Sequence, residues 1–160
     1  MDELQRGRDE TPDERADRNF SDILQELRVV LTGTQLISGF LLAVAFQSRF
    51  AELDADELVH YLVLVAVAAL ATLLGMTPVV VHRLHFAKRM KDRVVLLANR
   101  LLIATLVVVS TLVVGVTSFI FEVVVSQAAG LWAAGATAAV VVALWALAWG
   151  QRSRAVDREA

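Results

Sequence analysis

Four long apolar runs, separated by shorter hydrophilic connections, constrain the fold of this chain more than any other feature. They cover about residues 29–46, 59–81, 101–125 and 131–149, and none has Asp, Glu, Lys or Arg at its centre. A helix that rises ~1.5 Å per residue needs ~20 apolar residues to cross ~30 Å of hydrocarbon. The sequence therefore predicts an all-α membrane protein whose four transmembrane helices form an antiparallel bundle.

Composition limits the chemistry that the chain can perform. Of its 160 residues 57% are hydrophobic, more than the ~45–50% that is usual in soluble domains. The chain has no cysteine, which excludes disulfides, thiolate nucleophiles, iron–sulfur clusters and cysteine-bound zinc. It also lacks an HExxH motif, a phosphate-binding glycine loop, and a Ser/His or Asp/Asp arrangement at membrane depth. We therefore expect no enzymatic activity, no cofactor and no bound metal.

Lys and Arg alternate between frequent and nearly absent from one hydrophilic segment to the next. Of these 15 residues, all but Arg49 lie in the N-terminal arm, the second connection or the C-terminal tail. Basic residues concentrate on the cytoplasmic side of membrane proteins, and only an even number of spans satisfies this distribution. The pattern predicts a multi-pass protein with its N- and C-termini in the cytoplasm. Because orientation already accounts for these cations, nucleic-acid binding is not expected.

The hydrophilic ends are expected to differ in structure. Residues 1–10 are mixed in charge and have almost nothing to bury, which predicts a disordered arm. Thr11, followed by Glu14 three residues later, has the order of a helix start. Apolar residues then recur at helical spacing, so residues 11–28 are predicted as a cytoplasmic amphipathic helix, either lying against the membrane or running straight into the first span. Residues 150–160 are predicted as a cytoplasmic tail.

The second connection is basic and has an apolar stripe, which predicts a helical segment before the third span. Pro78 lacks the amide proton of other residues and should bend the second span near its cytoplasmic end. The connection is expected to fix orientation and to contact anionic lipid headgroups or a partner through His82, Arg83, Lys88, Arg89, Lys91 and Arg93. His82 and His85 share a helix face, but no neighbouring acidic residue or cysteine completes a metal site.

The first span is the least apolar of the four. Thr32, Gln35 and Gly39 fall on one of its faces, and Thr111 is a polar residue within the third span. An amide that faces lipid is costly, so Gln35 is expected to point at another helix or into a hydrated cavity. This face is therefore predicted either to form hydrogen bonds between helices or to contact a solute or ion.

Small residues recur at four-residue spacing, as in Gly130/Ala134 and Gly135/Ala139 of the fourth span. Small side chains let helix backbones approach closely in a membrane, where the hydrophobic effect does not drive association between helices. They are predicted to pack the bundle itself, and a homo-oligomer that forms through the fourth span is an alternative.

The end of the bundle away from the termini is predicted to carry an aromatic belt. The residues expected near this outer boundary are Phe46, Phe50, Tyr61, Phe119, Phe121 and Trp132. Glu122 lies one turn before the last hairpin and is expected at the same interface, where its carboxylate stays hydrated.

Several short segments resemble a known family. They are Glu26–Val29, Thr32–Gln35, Phe40–Leu42, Arg49–Phe50, Tyr61, Pro78 and His82–Arg83. Across residues 19–125 the chain is similar to a family of small, uncharacterised four-helix bacterial membrane proteins, some of which are labelled sodium:proton antiporters. The resemblance implies the same fold and a bacterial inner membrane, and it brings no functional residues with it.

Two functions remain open on the sequence. The first is a structural or interaction protein whose basic cytoplasmic face engages lipid, a second copy, or a protein partner that the sequence does not identify. The second is a small ion transporter or channel, similar to a sodium/proton antiporter and oligomeric. An antiporter needs a titratable group within the membrane, and the centres of the four runs have none. The first function is therefore preferred, with transport as the alternative.

Overall fold

The structure is a computed structural model that describes residues 11–85 and 91–159, without the side chains of residues 12, 13, 16, 82, 84, 85, 91–93 and 152–159. Four long helices account for nearly all of it: α1 (Pro12–Val44), α2 (Ala55–His85), α3 (Lys91–Val124) and α4 (Gln127–Glu159). A short 3₁₀ helix, Ser48–Glu52, lies between α1 and α2. The described residues include no strand, so the predicted all-α fold is confirmed.

Each long helix contains a segment that is long and apolar enough to cross a membrane. These segments are Asp17–Val44, Ala55–Val81, Val94–Val124 and Gln127–Gln151. The helices themselves have 31 to 34 residues, or about 46–51 Å at ~1.5 Å per residue, and so exceed the ~30 Å of hydrocarbon. The prediction of a four-span, multi-pass membrane protein is confirmed by these lengths and compositions.

The start of α1 has the hydrogen bonds that its sequence predicts. The Thr11 amide donates to Glu14 Oε2 at 2.8 Å, and the Glu14 amide donates to Thr11 Oγ1 at 3.3 Å. The bonds from the Thr11 amide, and then from the Thr11 hydroxyl, lower the pKa of the Glu14 carboxyl. This stabilisation of the first turn is therefore present above the ordinary carboxyl pKa and is lost as the pH falls through the lowered value.

The structure adds detail on the course of three helices. Residues 12–28 belong to the same continuous helix as the first span, so the segment runs straight into that span. Helix α4 continues to Glu159, beyond the boundary at residue 149 that hydropathy predicts, because helix formation does not stop where the sequence becomes polar. Helix α2 continues through Pro78, which is fully buried; the bend remains a prediction. The predicted arm, residues 1–10, and most of the basic connection, residues 86–90, lie outside the described residues.

Buried residues follow a seven-residue repeat along three of the helices. Most buried positions belong to series with this spacing: Phe20, Leu27, Thr34 and Leu41 in α1; Tyr61, Ala68 and Gly75 with Leu64, Ala71 and Pro78 in α2; and Ala98, Thr105, Leu112 and Phe119 in α3. Ile23, Leu102 and Ser118 are buried beside these series. This spacing corresponds to 3.5 residues per turn, the period that keeps one narrow face of a helix in contact with its neighbours. Helix α4 differs, because no residue in the most apolar stretch of its candidate span is buried.

The chain forms two compact units, and the first consists of α1 up to Gly39, α2 from Ala68 and α3 up to Val108. Its core is a cluster of five buried residues: Phe20, Ile23 and Leu27 of α1 with Ala98 and Leu102 of α3. The apolar stripe of the N-terminal amphipathic segment therefore packs against α3 within the protein.

The second unit consists of α1 from Phe40, the first connection, α2 up to Val67, α3 from Val109, and α4. Helices α2 and α3 approach closely in it: a Cβ atom on Gly115 would lie 2.5 Å from Leu64 Cδ2. Helix α2 begins here with a cap of two hydrogen bonds. The backbone amide of Glu57 donates to Asp54 Oδ1, and the backbone amide of Asp54 donates to Glu57 Oε2. The cap therefore fixes where α2 begins, one turn before the residues of the candidate site.

Candidate functional site

A histidine and a glutamate from distant parts of the sequence meet in the second unit. His60, in the second turn of α2, has its Nδ1 atom 2.7 Å from Oε2 of Glu122, near the end of α3. The two side chains are 28% and 16% exposed, respectively. Both residues lie within candidate membrane spans, close to the ends of those spans. This is the one histidine–carboxylate contact among the residues that the structure describes.

Aromatic rings enclose one side of this pair. The His60 ring meets Phe119 edge to face, with 5.5 Å between the ring centroids. Phe119 is buried and also contacts Tyr61, which packs edge to face on Phe50 at 4.9 Å. Phe50, Tyr61 and Phe119 were all predicted at the same end of the bundle, and the structure brings these three together. The pair therefore has an apolar wall that limits its contact with water.

A buried hydrogen bond ties the end of α1 to the same region. The Tyr61 hydroxyl donates to the Leu41 carbonyl oxygen at 3.0 Å, and both residues are buried. Because a buried hydroxyl is costly to leave unpaired, this bond fixes where α1 ends relative to α2 within the unit. Among the described residues, every buried side-chain nitrogen or oxygen has a hydrogen-bond partner.

The hairpin between α3 and α4 positions the carboxylate. The Ser118 hydroxyl donates to the Gly130 carbonyl oxygen at 3.1 Å. A Cβ atom on Gly130 would lie 2.9 Å from Glu122 Cβ and 2.9 Å from the Ser118 carbonyl oxygen. Glycine is therefore required at residue 130 for α4 to approach α3 this closely, and that approach holds the backbone of Glu122 beside the first turn of α4.

The pair joins two ionisable side chains, and the buried residues that the structure describes include no second pair of this kind. An imidazole N–H can donate to the carboxylate when the ring is neutral, and the contact becomes an ion pair when the ring carries a second proton.

A pocket of about 350 Å³ lies between the first connection and the end of α3. It is lined by Val44, Gln47, Ser48, Arg49, Phe50, Leu53, Phe119 and Val123. Phe50 and Phe119 thus belong both to this pocket and to the aromatic wall beside His60. The lining combines apolar side chains with the amide, hydroxyl and guanidinium groups of three consecutive residues.

The polar residues predicted inside the bundle lie elsewhere. Thr32, Gln35, Gly39 and Thr111 are all exposed on the surface of the chain. They are therefore not part of the buried core of one copy, and their contact with another helix, a solute or an ion stays a prediction. The buried polar residues are instead Thr34, Thr105 and Ser118.

The physical reason lies in how hydroxyl groups satisfy their hydrogen bonds. Thr34 donates to the Val30 carbonyl oxygen at 2.9 Å, and Thr105 donates to that of Leu101 at 2.8 Å. A small hydroxyl side chain bonded to its own helix can enter a close interface without a partner on the other helix. The larger Gln35 amide would need such a partner, which explains why the buried face of α1 centres on Thr34.

The basic connection is described only in part. Lys88 and Arg89 lie outside the described residues, as do the side chains of His82, Lys91 and Arg93, whereas Arg83 is exposed. Contact of these residues with lipid headgroups or a partner stays a prediction. Among the described residues, no group of three or more His, Asp or Glu side chains could hold a metal ion.

Sequence reasoning missed the pairing of His60 with Glu122. The two residues are 62 positions apart, and no local motif links them. The available signal was topological: both residues lie close to the same predicted outer boundary, one at the start of the second span and one at the end of the third. In antiparallel helices those two positions have the same depth.

Comparison with known proteins places the chain in a family. A model described as "Family of unknown function (DUF6328)" matches residues 9–149. The chain belongs to DUF6328. The match includes all of α2 and α3, and the prediction that the chain belongs to an uncharacterised family is confirmed for this DUF6328 protein. Neither the curated proteins nor the solved structures that were compared with it include a match.

Proposed function

We propose that this DUF6328 protein is a structural and interaction component of the bacterial inner membrane, with both termini in the cytoplasm and no enzymatic activity. It acts through the outer surfaces of its helices and through its basic cytoplasmic face, which contacts anionic lipid or a partner. The charge distribution of the connections supports this orientation.

The composition of the buried interior carries the proposal. Within the described part of the chain the buried residues are apolar, small, or hydroxyl-bearing. The hydroxyls of Thr34, Thr105 and Ser118 all donate to backbone carbonyl oxygens. An ion pathway needs polar or titratable groups that face a hydrated route between helices. A protein with this interior is better suited to contact other molecules through its surface.

Helix α4 supports self-association as one such contact. Gly135 and Ala139 are exposed, and no atom from the other described residues lies within 4 Å of the position of a Cβ atom on Gly135. Two helices that present small residues four positions apart can approach closely in lipid. A second copy of the chain presents the same small residues and can therefore pack its α4 against this surface.

Replacing Gly135 with leucine is therefore expected to lower self-association about tenfold, because the larger side chain holds two α4 helices apart. Fluorescence energy transfer between labelled copies in liposomes, measured over a range of protein-to-lipid ratios, reports the dimer fraction. Ala136→Leu is the matched control, because Ala136 is exposed one residue along the same helix. A wild-type protein that remains monomeric at every ratio, or equal losses in both variants, would rule out this interface.

A second candidate function is ion transport of the sodium/proton antiporter type, and the contact between His60 and Glu122 favours it. This pair is titratable, less than a third exposed, and lies within candidate spans. Proton-coupled carriers depend on groups of this kind inside the membrane. The site lies at the end of the spans, however, and the described interior provides no polar continuation of it.

Proton flux in liposomes distinguishes the two functions. When a Na⁺ or K⁺ gradient is applied, we expect liposomes with purified protein to show no more proton movement than protein-free liposomes, because the buried residues that the structure describes form no polar route. Flux that disappears in Glu122→Gln and decreases in Gln35→Leu would instead establish transport. Glu52→Gln, which changes an exposed carboxylate in the first connection, is the control for the lost charge.

A further inference from the structure

The pocket between the first connection and α3 has the two-part lining of an amphiphile site. Five of its residues are apolar: Val44, Phe50, Leu53, Phe119 and Val123. The other three, Gln47, Ser48 and Arg49, are consecutive at the start of the 3₁₀ helix and carry hydrogen-bond donors. Its volume of about 350 Å³ is at the lower end of the ~300–1,000 Å³ found for small-molecule pockets.

Arg49 provides a cation that has no carboxylate partner in the part of the chain that the structure describes. Its side chain is exposed, and it forms no salt bridge with any residue that the structure describes. Of the four acids in this part of the chain, Asp54 and Glu57 cap the start of α2 through backbone amides, and Glu52 and Asp56 are exposed. Arg49 is also the lone cation in the first connection, where the basic residues that determine orientation are absent, so orientation does not explain it.

The pocket lies at the ends of two candidate membrane spans. Val44 is the last residue of the first candidate span, and Val123 is next to the last residue of the third. Arg49 lies between spans, in the connection that follows Val44. Three apolar lining residues, Val44, Phe119 and Val123, thus belong to candidate spans, and Arg49 lies just outside them, which is the order of acyl chain and headgroup in a lipid.

We propose that this pocket binds one membrane phospholipid, with the phosphate on Arg49 and the start of an acyl chain against Val44, Phe119 and Val123. A guanidinium binds phosphate through two parallel N–H···O bonds. The amide of Gln47 and the hydroxyl of Ser48 provide further donors on the same side. Because Phe119 also packs on His60, the bound lipid covers the outer side of the aromatic wall.

Native mass spectrometry of the full chain in detergent tests this proposal with palmitoyl-oleoyl phosphatidylglycerol as the probe. Wild-type protein is expected to retain one lipid, and Arg49→Gln is expected to bind it about fivefold more weakly, because one phosphate contact is lost. Arg100→Gln, which removes an exposed arginine of α3 outside the pocket, is expected to bind as tightly as wild type. Val123→Trp narrows the apolar side and is expected to reduce binding in the same way.

Two further probes separate the source of the phosphate. Palmitoyl-oleoyl glycerol, which has the same chains without a phosphate, is expected to bind equally to wild type and Arg49→Gln. Millimolar inorganic phosphate is expected not to displace the phospholipid. Displacement by phosphate would mean a site for the free ion, and equal phospholipid binding by wild type and Arg49→Gln, or equal losses in Arg49→Gln and Arg100→Gln, would refute the proposal. Arg49 is exposed, so Arg49→Gln is expected to keep the wild-type melting temperature.

Discussion

Replacing Gly130 with alanine is expected to destabilise the folded protein by about 1–3 kcal/mol, the usual cost of adding a methyl group where no space exists. Its Cβ atom would lie 2.9 Å from both Glu122 Cβ and the Ser118 carbonyl oxygen. One of these is a backbone atom, so rotation of a side chain cannot relieve the contact. Helix α4 must move away from α3, which also lengthens the bond from Ser118 to the Gly130 carbonyl.

Gly135→Ala is the matched control for that variant. It makes the same chemical change in the same helix, five residues later, where nothing within 4 Å would meet the new Cβ atom. We expect its stability to stay within about 0.5 kcal/mol of wild type. Reversible unfolding in bicelles measures both variants. Equal stabilities for Gly130→Ala and Gly135→Ala would show that α4 does not approach α3 as closely as the structure has it.

The number of helices and their approximate positions could be predicted because span length is a local property of the sequence. About 20 apolar residues in a row form a spanning helix whatever their neighbours are. The cap at Thr11 and Glu14 is local in the same sense, and it was predicted correctly. The sequence did not predict that α4 continues past Trp149 to Glu159. Hydropathy indicates where a span leaves the membrane, which is not where its helix has to end.

The buried face of each helix is harder to predict, as α1 illustrates. Its most polar face, with Thr32 and Gln35, is exposed, and the buried face instead includes Thr34. A polar residue near lipid can be satisfied by its own backbone, as Thr32 is through the Arg28 carbonyl oxygen at 2.8 Å. Polarity alone therefore does not identify the interface. The seven-residue repeat of buried positions is a better guide, because it follows from the geometry of helix packing.

The candidate site depends on pairing between elements, which the sequence of one chain does not specify. His60 and Glu122 were both placed near one predicted boundary, but depth alone does not bring two side chains together. Contact also requires that α2 and α3 be neighbours and that each helix be rotated so that these residues face each other. Close packing of Leu64 against Gly115 meets the first requirement. Gly130 contributes to the placement of Glu122, because it lets α4 pack directly against the backbone of that residue.

Breaking the contact between His60 and Glu122 is expected to cost about 1–3 kcal/mol of unfolding free energy, because removing one partner leaves the other partly buried and unpaired. Both side chains are less than a third exposed, and their atoms are 2.7 Å apart. Glu122→Gln keeps the shape of the side chain and removes its charge, and His60→Gln removes the imidazole. Each single variant should therefore be destabilised, and the double variant should be less destabilised than the sum of the two.

A double-mutant cycle measures this coupling directly, and we expect an interaction free energy of about 1 kcal/mol. Glu52→Gln is the control for a lost carboxylate, because Glu52 is exposed in the first connection, and its stability should stay within about 0.5 kcal/mol of wild type. Fully additive effects of Glu122→Gln and His60→Gln would mean that the two side chains do not interact in the membrane. A measured coupling would show that this contact ties the start of α2 to the end of α3.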